Sequence, residues 1–138
     1  MSTHIKTVQN LYEAFGRGDL PAILAHIADD VDWGVNADPN VTPPEKVSYF
    51  RRARNRDEVA KFYFEQAVEL FEFHQFKPKA FMAGDQHVSV LLELELTARR
   101  TGKRFGFEEI HCFQFDPTGK ICRYRGFLDT ALIAAMNN

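Results

Sequence analysis

The fold is decided by residues 86–128, which read QHVSVLLELELTARRTGKRFGFEEIHCFQFDPTGKICRYRGFL and alternate between apolar and polar side chains over most of their length. A period of two is typical of strands that cover a core with one face. Thr101-Gly102 and Asp116-Pro117-Thr118-Gly119 are turn sequences. The stretch therefore predicts three antiparallel strands joined by two hairpins. Their predicted bounds are Gln86–Arg99, Lys103–Phe115 and Lys120–Leu128.

The alternation also predicts which face of the first hairpin points inward. If Thr101-Gly102 forms a two-residue loop, Leu94 lies opposite Glu109 and Leu92 lies opposite His111. Glu109 and His111 are then the two titratable side chains on an otherwise apolar, interior face. The other residues of this face are Val88, Val90, Leu96, Phe105, Phe107, Phe113 and Phe115.

Glu109 and His111 are the strongest catalytic candidates in the chain. Residues two apart on a strand project from the same side, so the two side chains can interact or share a ligand. Histidine titrates near neutral pH, and a glutamic acid in an apolar pocket keeps its proton more readily than in water, which suits the pair to acid/base catalysis. The alternative is a purely structural, hydrogen-bonded pair or a pair at a cavity rim.

The third strand of this region can face either way, because Gly119 is expected to form a bulge. One orientation turns Arg123 and Arg125 inward, and the other turns Tyr124 and Gly126 inward. The second orientation buries no charge and is favoured.

The N-terminal half predicts helices. Apolar residues at helical spacing, cap residues and proline-rich gaps set their limits. Helices followed by antiparallel strands predict an α+β domain, with the helices on one face of a curved sheet and residues 1–138 forming a single domain. The first predicted helix covers Ile5–Phe15, capped by Ser2 or Thr3, and the second covers Leu20–Ile27, capped by Asp19. A break at 28–30, a strand over Val31–Val35 and a loop over Asn36–Glu45 with Pro39 follow. The third helix begins near Asp57, is capped by Asn55 or Asp57, and runs to about Leu70. After it come a strand over Phe71–Ala83 interrupted at Pro78 and, beyond the hairpins, a helical tail over Thr130–Met136.

Composition argues against several functional classes. The formal net charge of −2 gives no long-range attraction to nucleic acid or to an anionic membrane, and the basic run over 51–56 is typical of a solvated loop or helix start. No apolar stretch approaches the roughly 20 residues that a membrane span needs, and no secretory signal is evident. We therefore expect a cytoplasmic protein in which Cys112 and Cys122 are reduced thiols.

The histidines show no metal-binding spacing, and neither the dinucleotide and phosphate-loop motifs nor GxSxG and HExxH are present. We accordingly expect no metal and no cofactor. Further side chains are predicted to contact a ligand from the inner surface or from a loop at its mouth. These are Tyr12, Trp33, Asp38, Tyr63, Phe107, Phe113 and Tyr124.

Two strings carry a resemblance to a known family: YEAFGRGDLPAILAHIADDVDW at 12–33 and FEEIHCFQFDPTGKICRYRGFLD at 107–129. They resemble the nuclear-transport-factor-2-like (NTF2-like) superfamily, and within it the SnoaL-like and ketosteroid isomerase branch. The resemblance implies a cone-shaped, strongly bent antiparallel sheet wrapped around three N-terminal helices, with an internal cavity open at one end. It also implies a homodimer formed through the outer face of the sheet, on which Leu91 and Ile110 lie.

At most positions where members of the family carry catalytic residues, this sequence carries residues of another type. The oxyanion-hole aspartate of ketosteroid isomerase falls at His111, and its tyrosine donor falls at Leu11. The general-base aspartate aligns with Val35, unless the following loop brings Asp38 into its place. The last-strand aspartate of SnoaL-like cyclases corresponds to Gly126.

Two functions follow from these observations. The first is a cofactor-independent enzyme of the isomerase, cyclase or hydratase type that acts on a small, largely apolar, carbonyl-bearing molecule. His111 and Glu109 would transfer protons, and Tyr12 or Tyr124 would donate a hydrogen bond. The second is a non-catalytic dimeric module of the same fold that binds a ligand in its cavity.

Overall fold

The computed structural model describes residues 3–38, 40–41 and 43–137. Ser2 and Pro39, which figure in the predicted cap and loop, lie outside them. Within these ranges, five α-helices and five strands form an α+β domain. In chain order they are α1 (Thr3–Arg17), α2 (Leu20–Leu24), β1 (Ile27–Val35), α3 (Arg56–Val59), α4 (Glu65–Leu70), β2 (Phe71–Ala83), β3 (His87–Ala98), β4 (Arg104–Phe115), β5 (Ile121–Phe127) and α5 (Thr130–Met136).

Helices α2 and α3 begin where their cap residues predict. Asp19 accepts a hydrogen bond from the backbone N–H of Ala22 at the start of α2, and Asn55 accepts one from Glu58 at the start of α3. A π-helical turn, Ala60–Phe64, joins α3 to α4, so that 56–70 forms one continuous helical segment. No helix among the described residues is long and apolar enough to span a bilayer.

The predicted limit between α2 and β1 was wrong. Residues 28–30 do not form a break but belong to β1, and α2 ends three residues before the predicted Ile27. Ile27 pairs instead with Ile121 of β5, and the backbone N–H of Ile121 donates to the carbonyl of His26. Pairing with a strand almost a hundred residues away overrides the local helical preference.

The five strands form one curved, unclosed sheet in the order β1-β5-β4-β3-β2. All neighbouring strands are antiparallel except β1 and β5, which pair in parallel. β2 continues through Pro78, because it is an edge strand where a missing N–H is tolerated, and its register shifts next to the proline.

The predicted register of the β3–β4 hairpin was wrong by two residues. Leu92 lies opposite Glu109 and Val90 opposite His111. The loop contains four residues rather than two, because the backbone N–H of Ala98 donates to the carbonyl of Lys103. The loop is held against α5 by the Thr101 hydroxyl, which donates to the carbonyl of Met136. A shift of two leaves every side chain on its predicted face.

The inner face of the sheet and the helices enclose the core. α1 buries Val8, Leu11 and Ala14 against this face. In β5, Tyr124 and Gly126 point inward while Arg123 and Phe127 are exposed. The inner face of β3 and β4 buries Val88, Val90, Leu92, Leu94, Leu96, Phe113 and Phe115 together with Glu109 and His111.

Candidate functional site

A chain of two hydrogen bonds joins three side chains in the core. The hydroxyl of Tyr12 lies 2.8 Å from Nδ1 of His111, and Nε2 of His111 lies 2.8 Å from Oε2 of Glu109. Glu109 and His111 are 8% and 9% exposed, respectively, so this pair is almost fully shielded from solvent, whereas Tyr12 is half-buried.

The chemistry of the three groups gives each hydrogen bond one direction when Glu109 is ionised and His111 is uncharged. An ionised carboxylate can only accept, so Nε2 of His111 carries a hydrogen and donates it to Glu109. In the uncharged imidazole Nδ1 is then the acceptor, and the Tyr12 hydroxyl donates to it. Both ring nitrogens are thus occupied, and the atoms left to meet a ligand are the Tyr12 oxygen and Oε1 of Glu109, which takes no hydrogen bond from the described residues.

Two elements of the fold, β4 and α1, hold these three hydrogen-bonded side chains in place. Glu109 and His111 lie on the inner face of β4, between β3 and β5 in the sheet. Tyr12 reaches them from α1, where its ring packs edge-on against Phe76 of β2 with ring centroids 5.1 Å apart. The polar groups therefore lie on rigid elements and not on loops, which favours a fixed geometry.

An aromatic cavity of about 60 Å³ adjoins the hydrogen-bonded side chains of Tyr12, His111 and Glu109. All four tyrosines of the sequence and its single tryptophan line it. At this volume it is smaller than the deep cavity that the sequence resemblance implied. Phenylalanine side chains fill the remaining space. Those in the wall are Phe15, Phe64, Phe71, Phe73, Phe76 and Phe113.

An open groove of about 700 Å³ lies outside the cavity between α1 and β2. The groove and the cavity share four lining residues, Tyr12, Phe15, Phe73 and Phe76. These aromatic side chains border both spaces.

The phenols around the cavity stay protonated. Burial is the main cause that raises the pKa of Tyr12, Tyr49 and Tyr124 well above its usual value, and the nearby charge of Glu109 adds to the rise in each case. Among the described residues nothing is hydrogen-bonded to the hydroxyls of Tyr49 and Tyr124. The indole N–H of Trp33 is likewise buried without a partner there. The cavity thus offers several unused hydrogen-bond donors.

Gly126 allows Tyr124 to reach the site. A Cβ at position 126 would lie 2.6 Å from the Tyr124 hydroxyl, closer than any real contact. The Tyr124 ring stacks on Trp33 with centroids 4.1 Å apart and lies edge-on to His111 at 5.4 Å. The phenol therefore extends over the bare backbone of β5 beside the Glu109–His111 pair.

The structure brings most of the predicted site residues together. Tyr12, Trp33, Tyr63, Phe113 and Tyr124 line the cavity with Glu109 and His111. Asp38 is exposed and accepts a hydrogen bond from the backbone of Asn40, and Phe107 packs beside the core without lining the cavity.

Sequence reasoning missed Tyr49. It lies in a single 3-10 turn, Ser48–Phe50, between the proline-rich loop and α3, and no periodic pattern marks it as interior. Its ring packs on Tyr63 with centroids 5.1 Å apart. Composition alone could have indicated Tyr49: the sequence has four tyrosines, and the other three were already predicted to contact a ligand.

Comparisons with known proteins agree with this architecture. A family model described as the SnoaL-like domain matches residues 8–124. A search of curated proteins finds no match. Among solved structures, an NTF2-like protein of unknown function from Burkholderia pseudomallei K96243 is 27% identical, covers 100% of this chain and 99% of its own, and has a TM-score of 0.87.

Two further structures share the fold at lower identity. TerC, co-crystallised with polyporic acid, is 19% identical with a TM-score of 0.81, and the alignment covers 98% of each chain. An LEH-like epoxide hydrolase from M. tuberculosis is 19% identical with a TM-score of 0.69, covering 93% of this chain and 84% of its own. From the family match and the architecture together, the chain belongs to the SnoaL-like domain family of the NTF2-like superfamily.

Proposed function

We propose that the protein binds a small, largely apolar molecule with a carbonyl or phenolic oxygen and transfers a proton on it without a cofactor. The observation that carries this proposal is the buried chain from Tyr12 through His111 to Glu109 in an aromatic cavity. Such an arrangement resembles the acid/base class of ketosteroid isomerase relatives, although the residues differ from theirs.

Glu109 is the proposed base. Its Oε2 is held by His111, which orients the carboxylate, and Oε1 is free to take a proton from a carbon next to a carbonyl. The C–H bond breaks, the proton passes to Oε1, and the electron pair moves through the new C=C bond onto the carbonyl oxygen as an enolate. Returning the proton to the same or another carbon completes an exchange or an isomerisation.

The phenols are the proposed partners of the enolate oxygen. Tyr49 and Tyr124 hold unused hydroxyls near Glu109, and their raised pKa keeps them protonated as donors. Donors already in place where negative charge develops stabilise the transition state without reorganisation.

The ligand would occupy the cavity and the adjoining groove together. The cavity alone, at about 60 Å³, is far below the 300–1,000 Å³ typical of small-molecule sites. Movement of Phe15, Phe73 and Phe76, three of the four shared side chains, would join it to the groove. TerC, which has the same fold, was crystallised with polyporic acid. That compound is therefore a reasonable first probe of binding.

The test of catalysis is hydrogen–deuterium exchange at the α-carbon of 2-tetralone, followed by NMR in D2O. We expect exchange above the buffer rate, and a fall of about 100-fold or more in Glu109→Gln. Glu108→Gln is the matched control, because Glu108 lies on the same strand but on the exposed face. Equal rates for the Glu109 and Glu108 variants would contradict the role of Glu109.

The alternative is a binding module without catalysis. It is favoured by the occupation of both His111 nitrogens and by the small cavity. A ligand-induced thermal shift with polyporic acid or 2-tetralone, lost in His111→Ala with the fold intact, but no α-carbon exchange, would support this alternative.

We further propose that two copies associate through the outer face of the sheet. Ile110 and Phe127 are paired neighbours on this face and are 38% and 47% exposed, and Leu91 continues the row onto β3. A dimer by analytical ultracentrifugation that dissociates in Ile110→Lys would support the proposal, whereas a wild-type monomer would contradict it. The free thiols of Cys112 and Cys122 agree with a reducing, cytoplasmic location, which stays a prediction.

A further inference from the structure

Three adjacent extended segments place arginines on one outer surface. Ala53 pairs with Trp33 through two backbone hydrogen bonds of 2.9 Å, and Trp33 pairs with Tyr124 on its other side. These three middle residues are buried, so their sequence neighbours point outward. The outward residues are Arg52, Arg54, Asp32, Gly34, Arg123 and Arg125.

One carboxylate, that of Asp32, faces four arginines. We call Arg52, Arg54, Arg123 and Arg125 the guanidinium patch. Arg125 donates to Oδ2 of Asp32 at 2.8 Å. The other three guanidinium groups lie 3.6 to 3.8 Å from the Asp32 oxygens, beyond hydrogen-bond distance. The patch with Asp32 carries a charge of +3 in a chain whose net charge is −2.

Three of the four arginines pair with Asp32 by charge but make no hydrogen bond to it. Arg125 is held by Asp32 and by two backbone carbonyls, those of Asp32 and Tyr124. Within the described part of the chain, Arg52, Arg54 and Arg123 make no side-chain hydrogen bond, and Oδ1 of Asp32 is buried without one. Like charges this close repel each other, so the arrangement favours an added anion.

Gly34 and the neighbouring acidic groups shape the patch. A Cβ on Gly34 would lie 2.7 Å from Nε of Arg52, so the absence of a side chain lets this guanidinium lie against β1. Two other carboxylates are near but engaged elsewhere: Asp29 pairs with Arg56, and Glu58 accepts from the backbone N–H of Arg54.

We propose that the guanidinium patch binds a compact oxyanion, namely phosphate as the free ion or as the phosphate group of a small ester. Guanidinium groups present paired N–H donors that match the oxygens of such an anion. The patch lies on the opposite side of β1 from the aromatic cavity, so this site does not depend on the function proposed there.

Isothermal titration with inorganic phosphate in a low-salt buffer tests the site. We expect saturable binding of one phosphate per chain that weakens as salt is added. Trp33, the single tryptophan, lies directly beneath the patch, so its fluorescence provides a second readout.

Arg54→Gln and Arg123→Gln are each expected to weaken phosphate binding about tenfold. Their side chains are 68% and 51% exposed, so both variants are expected to fold, which circular dichroism checks. Arg104→Gln is the control, since Arg104 is exposed but pairs with Glu95 on another strand. An absence of saturation, equal weakening in the Arg104 variant, or binding of single-stranded DNA without binding of phosphate would each overturn the proposal.

Discussion

The hydroxyl of Tyr12 donates to Nδ1 of His111 across 2.8 Å, although 99 positions separate the two residues in the chain. Because Nε2 of the same ring is bound to Glu109, the imidazole is held at both ends. An imidazole fixed in this way orients its carboxylate partner and is not itself free to contact a ligand.

Replacing Tyr12 with phenylalanine is expected to cost about 1–3 kcal/mol of unfolding free energy, because it leaves Nδ1 of His111 buried without a partner. Tyr49→Phe is the matched control, since it removes a cavity phenol that has no hydrogen bond to His111. Urea unfolding of both variants measures the difference. If the two variants are equally stable, the Tyr12–His111 bond contributes nothing to the fold.

The four tyrosines are expected to resist ionisation in the folded protein. The pKa of each phenol is raised mainly by burial, so the folded state holds these protons more tightly than the unfolded chain, whose phenols titrate near 10.0. Their contribution to stability is complete below that pH and is lost as the pH rises above it.

An alkaline titration followed at 295 nm and by circular dichroism tests this expectation. Tyrosinate absorbance should appear in one cooperative step that coincides with loss of secondary structure. Gradual ionisation near pH 10 in a chain that stays folded would mean that the phenols are open to water.

Much of the fold follows from local patterns. The alternation over 86–128 predicted the faces of β3 and β4, and the buried valines and leucines of β3 lie where it placed them. The hairpin register and the start of β1 were wrong because both depend on distant contacts. Thr101 in the loop at 99–102 bonds to α5, and Ile27 pairs with Ile121.

The site was predictable only in part for the same reason. Glu109 and His111 share one strand, so a period of two brings them together without any tertiary information. The bond from Tyr12 depends on how α1 crosses the sheet, and the inward position of Tyr49 depends on a turn without a repeating pattern.

Gly126→Ala is expected to disturb the site through Tyr124. The new methyl group would meet the Tyr124 hydroxyl at 2.6 Å, and stacking on Trp33 leaves this ring little freedom to move. Overpacking of this kind costs about 1–3 kcal/mol.

The double variant Tyr124→Phe with Gly126→Ala separates this clash from other effects of the methyl group. Removing the hydroxyl leaves the nearest ring carbon at 3.3 Å, which a small shift relieves. We expect the double variant to regain most of the unfolding free energy lost in Gly126→Ala. If it does not, the Tyr124 hydroxyl is not what requires glycine at this position.

Asp32→Asn is expected to reduce stability near neutral pH but not in strong acid. Burial alone would raise the pKa of Asp32, but the hydrogen bond and charge of Arg125, with the charges of Arg52 and Arg54, outweigh it and lower the pKa below 3.8. The folded state therefore binds this proton less tightly than the unfolded chain. The stability that the ionised carboxylate contributes is present above pH 3.8 and is lost as the pH falls further.

Urea unfolding of the wild type and of Asp32→Asn at pH 7 and near pH 3 measures this contribution. We expect a loss of about 2 kcal/mol in the variant at pH 7, because a hydrogen-bonded ion pair is broken, and a smaller difference in acid. Asp30→Asn is the control, because Asp30 is exposed and lies two residues earlier on β1. It should not change the unfolding free energy appreciably at either pH. A deficit of the same size at both pH values would show that Asp32 acts through packing and not through its charge among the arginines.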